Sequence, residues 1–98
     1  MLWHEVIELG NVTQTIVFGE PVDTVTYRSV FADKQSVRQT EFYEAKQLDL
    51  APEVMFVVRS IEFQNDEFVR WKDKPYRIIR TFDKGETIEL VVGALNNG

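Results

Sequence analysis

The chain has 98 residues, 44% hydrophobic, 28% charged and 12% aromatic, with a net charge of −5 and an isoelectric point near 4.8. Apolar surface on this scale offsets the entropy of ordering, so the composition excludes intrinsic disorder and predicts one compact domain over residues 1–98. The absence of cysteine excludes disulfides and thiolate metal sites, and neither a membrane-length apolar run nor a signal-peptide pattern is present, so cytoplasmic folding is expected.

The first predicted strand is residues 3–8, with Trp3 and Ile7 on one face and His4, Val6 and Glu8 on the other. Residues 10–15 are polar with interspersed valine and read as loop. Gly19-Glu20-Pro21 then marks a turn. From Val22 to Lys34 the chain is rich in Val, Thr, Tyr and Phe, which suits a long strand. Val25, Tyr27 and Phe31 share one parity there; Thr24, Arg28, Val30 and Ala32 share the other.

Ser36 to Leu48 is the helix candidate. Ser36 and Gln39 have capping-box spacing, Arg38 and Glu41 are placed as an i,i+3 pair, and Pro52 stops the element. The strand over Glu53–Ile61 is apolar on both faces: Val54, Phe56 and Val58 against Met55 and Val57. Such a strand needs cover on both sides, from the helix or from a neighbouring subunit. Residues 67–71 and 75–82 form a hairpin around Trp71-Lys72-Asp73-Lys74-Pro75. Tyr76, Ile78, Arg80 and Phe82 alternate along its second strand. Asp83-Lys84-Gly85-Glu86 makes the next turn, Thr87–Ala94 the last strand, and Asn96-Asn97-Gly98 a frayed tail. The predicted fold is mainly β: about six antiparallel strands in a meander closed into a small barrel, with one short α-helix.

Several segments, in order, resemble the head–tail joining family of long-tailed bacteriophages, also called head-closure, stopper or head–tail adaptor proteins. They are Gly19-Glu20-Pro21-Val22, Val30-Phe31-Ala32-Asp33, Arg38 to Gln47, Val57-Val58-Arg59, Asp66 to Ile78, and Thr87 to Val92. The resemblance covers residues 5–92 and rests on order and spacing. Asp73 stands where the family often has glycine; aspartate tolerates the left-handed backbone better than most residues.

The resemblance implies a virion protein at the head–tail interface, present in host cytoplasm before assembly. It implies a self-associated ring, dodecameric in the virion and monomeric before assembly, docked to a portal or adaptor ring and to tail proteins. Such a ring closes the portal exit, retains packaged DNA near it without sequence-specific binding, and docks the tail. No cofactor is implied.

Catalytic chemistry finds little in the sequence. The one histidine, His4, lies in a predicted strand and lacks a plausible nucleophile, and the glycines are isolated rather than in a phosphate loop. Asp66-Glu67 and Glu41/Glu44 read as solvated charge, and Asp83–Glu86 as a turn rather than a calcium loop. No catalytic, cofactor or metal residue is therefore expected, and the chain is not expected to be an enzyme. Candidate interface residues are Phe42, Tyr43, Met55, Val57, Arg70, Lys72, Lys74 and Arg77, and the candidate contact loops are 10–19, 33–36 and 60–66. Residues 70–80 hold five of the eleven basic residues, with Trp71 and Tyr76 among them. Basic side chains track phosphates and aromatics stack bases, so an alternative is an OB-like barrel that binds single-stranded nucleic acid. The plainer reading packs Trp71 and Tyr76 into the sheet.

Overall fold

The computed structural model describes residues 3–36 and 52–95. Beyond Ser36, the predicted helix with Phe42 and Tyr43 lies outside the described residues, as does the tail 96–98. Six strands are present: β1 (Glu5–Val17), β2 (Glu20–Gln35), β3 (Pro52–Arg59), β4 (Phe68–Trp71), β5 (Lys74–Asp83) and β6 (Thr87–Ala94). A short 3-10 turn, Ser60–Glu62, follows β3.

The strands close into a barrel in the order β1-β2-β3-β6-β5-β4, with every pair antiparallel. The fold class is therefore the predicted one. The order is two three-stranded meanders, β1-β2-β3 and β4-β5-β6, joined at β3–β6 and again at β1–β4. Closure removes most of the unpaired edge that an open sheet would expose.

The core follows the two-residue period of a strand. Inward positions are Ile7 and Leu9 on β1, Val30 and Ala32 on β2, Val54, Phe56 and Val58 on β3, and Val69 on β4. Tyr76, Ile88, Leu90 and Val92 complete the set. In β2 the buried parity is thus that of Val30 and Ala32, while Phe31 on the other parity is 66% exposed. The opposite face of β3 and β6 is buried too: Met55, Val57 and Val91 are at most 2% exposed within the single chain. This accounts for the two-faced apolar pattern of β3.

Both tight hairpins have two-residue turns with both residues at positive φ: Phe18-Gly19 (53° and 81°) and Lys72-Asp73 (51° and 62°). That geometry matches the right-handed twist of the flanking strands. Asp73 therefore does adopt the left-handed backbone that glycine takes more readily. At the third hairpin, the Asp83 carboxylate accepts the Gly85 N–H at 2.8 Å, and Gly85 has φ 95°.

Three sequence expectations need correction. Residues 10–15 are strand, not loop, since β1 runs unbroken to Val17. Their polarity reflects solvent on both faces, and Thr13 and Thr15 are good strand formers. Accordingly, the expected contact loops 10–19 and 33–36 are strand apart from the turn at Phe18-Gly19 and Ser36. In β5, a bulge between Ile78 and Arg80 shifts the register, so Phe82 faces opposite to Tyr76 and Ile78.

Phe56 is fully buried and meets the Trp71 ring edge-on at 5.5 Å. Phe56→Ala is expected to cost about 3–5 kcal/mol through the lost burial and the cavity. Urea unfolding monitored by circular dichroism checks this; a loss below about 1 kcal/mol contradicts the core described.

Candidate interaction surface

The β4–β5 hairpin holds the basic and aromatic residues that the sequence singles out. Trp71 has the inward parity of Val69 and plugs one end of the barrel. Its ring meets Phe56 at 5.5 Å and Tyr76 at 6.5 Å, and its Nε1–H donates to Glu5 Oε2 at 3.1 Å. Lys34 and Lys72 place their ammonium groups 4.9 and 4.7 Å from the Trp71 ring centre. Tyr76 is 4% exposed. Neither aromatic offers a free face on which a base could stack, so the packing reading of this pair holds.

The cations here are largely engaged as well. Arg70 makes a two-pronged pair with Glu8, at 2.9 Å from Nε and 2.6 Å from Nη2, and its guanidinium lies 4.1 Å over the Tyr27 ring. Lys74 reaches Glu53 at 3.5 Å. Lys72 and Arg77 are exposed. Met55 and Val57, expected as interface residues, are instead buried inside the chain, so that surface does not include them. His4 is exposed, with its backbone N–H donating to Asp33 Oδ1 at 3.2 Å.

The surface that stands out is the β1–β2 hairpin. The register runs without a shift from Glu5↔Ala32 to Val17↔Glu20. Yet β4 pairs with β1 only over Glu8–Gly10, and β3 pairs with β2 only over Asp33–Gln35. Residues 11–26 therefore leave the barrel as a two-stranded arm, about 20 Å long at 3.3 Å per residue. Of the nine exposed large hydrophobics among the described residues, six lie on this arm: Val12, Ile16, Val17, Phe18, Val22 and Val25. Phe18, at the tip, is fully exposed. Residues paired across an antiparallel ladder share a face, so Val12 and Val25 stand with Ile16 and Pro21. On the same face of the barrel exterior, beyond the Tyr27 and Glu8 rungs that Arg70 covers, Val6 and Phe31 are 56% and 66% exposed.

Its root is gripped on both faces. On the inner face, Asp66 is 4% exposed and accepts two hydrogen bonds from Arg28, at 2.7 and 2.8 Å. It also accepts Asn11 Nδ2 at 2.7 Å and the Gln64 N–H at 3.0 Å. Arg28 donates further to the Glu62 carbonyl, and Asn11 to the Gln64 carbonyl at 3.2 Å. The carboxylate's hydrogen bonds raise the pKa of Arg28 above its ordinary value. On the outer face, the Tyr27 ring lies so close over Gly10 that an added Cβ would sit 2.6 Å from it. Arg70 covers the far side of that ring.

Asp66 corrects its sequence reading as solvated charge; its neighbour Glu67 is exposed as expected. A signal was present: Arg28 shares the parity of Val30 and Ala32, and a cation on the core parity requires a partner. Among the described residues, no group of three or more His, Asp or Glu is arranged to hold a metal. No protein-family model matches the chain, and no curated protein matches it. The arrangement presents an arm with exposed apolar side chains on a rigid block.

Removing Asp66 leaves Arg28 and Asn11 without their shared acceptor. Asp66→Ala is expected to cost about 3 kcal/mol and to speed amide exchange at Thr24–Thr26, the part of β2 just beyond the clamp. Unchanged exchange there would show that the clamp does not hold the arm. The hydrogen bond from Arg70 holds the Glu8 carboxyl below its ordinary 4.5. A depressed folded value contributes stability above the unfolded pKa, and that contribution is lost as pH falls through the folded value. An NMR titration is expected to place Glu8 below 4.5 in the native chain and to move it upward in Arg70→Gln.

Proposed function

We propose that this chain is a structural subunit of the connector between head and tail of a bacteriophage. In that role it assembles as a ring on the portal or adaptor, closes the exit, retains packaged DNA and docks the tail. The observation that carries the reading is the clamped arm. An apolar ribbon held out from a barrel is a surface made for a protein partner, because exposed apolar patches of this extent mark interaction sites.

Three further features support it. The order of segments from Gly19 to Val92 resembles the head–tail joining family, and the six-stranded antiparallel barrel fits the fold that this resemblance implies. The net charge of −5 suits a wall along which DNA passes without adhering, since like charge suppresses phosphate binding. The aromatic residues of the β4–β5 hairpin are tied into the barrel, which weighs against the single-strand-binding alternative. The barrel then acts as a rigid spacer, and the arm is the part that makes contact.

The test is a phage genome with this gene removed, complemented from a plasmid. The full chain is expected to restore infectious particles, and reconstruction of their necks to place it between portal and tail. A variant in which Asn-Gly replaces residues 13–24, closing the shortened hairpin on Val12 and Val25, is expected to fold but to yield heads that carry no tail and lose their DNA. Tailed, infectious particles from the deleted genome, with no density for the chain at the neck, would refute the proposal.

A further inference from the structure

The arm has a second property besides its apolar stripe: two open edges. Among the described residues, Asn11–Val17 has no strand beside it except β2, and Glu20–Thr26 none except β1. On the arm each edge offers seven residues, and along β2 the stretch with no second strand among the described residues runs on to Ala32. Unpaired N–H and C=O groups along a straight strand are a template for another strand, and proteins that avoid this use bulges, lysine or proline. Here there is no bulge and no lysine, and Pro21 sits beside the tip.

We infer that these edges pair with each other between copies: the β2 edge of one arm takes the β1 edge of the next copy's arm, antiparallel. The charge pattern selects this pairing. Asn11–Val17 carries no charged residue, whereas Glu20–Thr26 carries Glu20 and Asp23. Two β2 edges overlapped over the arm, Glu20–Thr26, would set Asp23 directly opposite Asp23, and like charges directly opposite destabilise a ladder. Two β1 edges would pair without a clash but would leave both β2 edges open. A β2 edge on a β1 edge puts the acidic residues opposite neutral ones and leaves no arm edge unused.

Direction agrees with this choice. β1 runs out from the barrel and β2 runs back, so arms pointing the same way bring β2 of one copy antiparallel to β1 of the next. The two edges are different surfaces, so the contact is head-to-tail and repeats around a closed ring. In such a ring the apolar rungs Val12/Val25 and Ile16/Pro21 repeat from arm to arm, with the polar rung Gln14/Asp23 between them. The inference deepens the ring reading given above and rests on its premise that copies assemble.

Because the chain has no cysteine, engineered thiols report the pairing without background. Thr24→Cys is mixed with a second single variant carrying cysteine at Asn11, Thr13, Thr15 or Val17, all on the same face as Thr24. The purified mixture at high concentration, and virions assembled from it, are then oxidised. Pairing of unlike edges is expected to give a band at twice the 11.4 kDa of one chain with one of these partners. Each variant alone is expected to stay at single mass. A Thr24→Cys band formed with itself would overturn the inference in favour of a symmetric pair of β2 edges. Rings or virions that contain the chain but give no band, or a band only with a different virion protein, would overturn it and leave the connector reading intact. Absence of the chain from the virion would remove that reading, while the purified mixture still decides how the arms pair.

Discussion

The Asp66 carboxylate is the fixed point on which the functional surface depends. A two-stranded ribbon is marginal by itself, and one that leaves its barrel has no further strand to hold its direction. Asp66, itself buried, supplies that hold by joining the partly exposed Arg28 of β2 and Asn11 of β1 to the 60–66 loop in one cluster. Burying a carboxylate is tolerable here because it receives four hydrogen bonds, two of them from a guanidinium. On the opposite face the stack of Gly10, Tyr27 and Arg70 prevents the ribbon from tilting outward. The arm is thus mounted at its base and, among the described residues, has no further strand along its length.

The barrel beneath is closed by different means at its two ends. β4 runs antiparallel to β1, so the Lys72-Asp73 turn lies toward Glu5, away from the point where the arm departs past Gly10. At the Glu5 end, Trp71 fills the opening with its indole N–H satisfied by Glu5. At the arm end, the Asp66 cluster does so. An apolar plug resists only through packing, whereas a polar cluster fixes directions as well as distances. The polar plug sits where direction matters, at the root of the projecting hairpin.

Elements with at least one face in the core were legible in the sequence. The last strand, Thr87–Ala94, the β4–β5 hairpin and the double-sided β3 each carry an alternation or an apolar run that burial enforces. The arm was not legible, because alternation records a difference between two faces and both faces of the arm meet solvent. Thr13, Gln14 and Thr15 therefore looked like loop, although their β-propensity pointed the other way. The site was harder still. Asp66 looked like its exposed neighbour Glu67, since nothing local distinguishes a buried carboxylate from a solvated one. Only the parity of Arg28, some forty residues earlier, carried that information. The face of Phe82 depended on a bulge that no residue type announces.

An exposed apolar arm raises the question of why the chain would not aggregate before assembly. The arm's own chemistry supplies an answer. Seven-residue edges offer few hydrogen bonds, and each net bond contributes only about 1 kcal/mol. Joining two copies at a single seam must also overcome lost translational and rotational freedom, on the order of 4–15 kcal/mol. One seam gains about as much as it loses on that scale, and the acidic β2 edge further discourages random encounters. In a closed ring, every arm makes two seams and the last joint forms within an assembly already held together, at high effective concentration. On the proposed ring reading, a surface that is weak in pairs and strong in a circle would hold copies apart until another ring gathers them, and then commit them together.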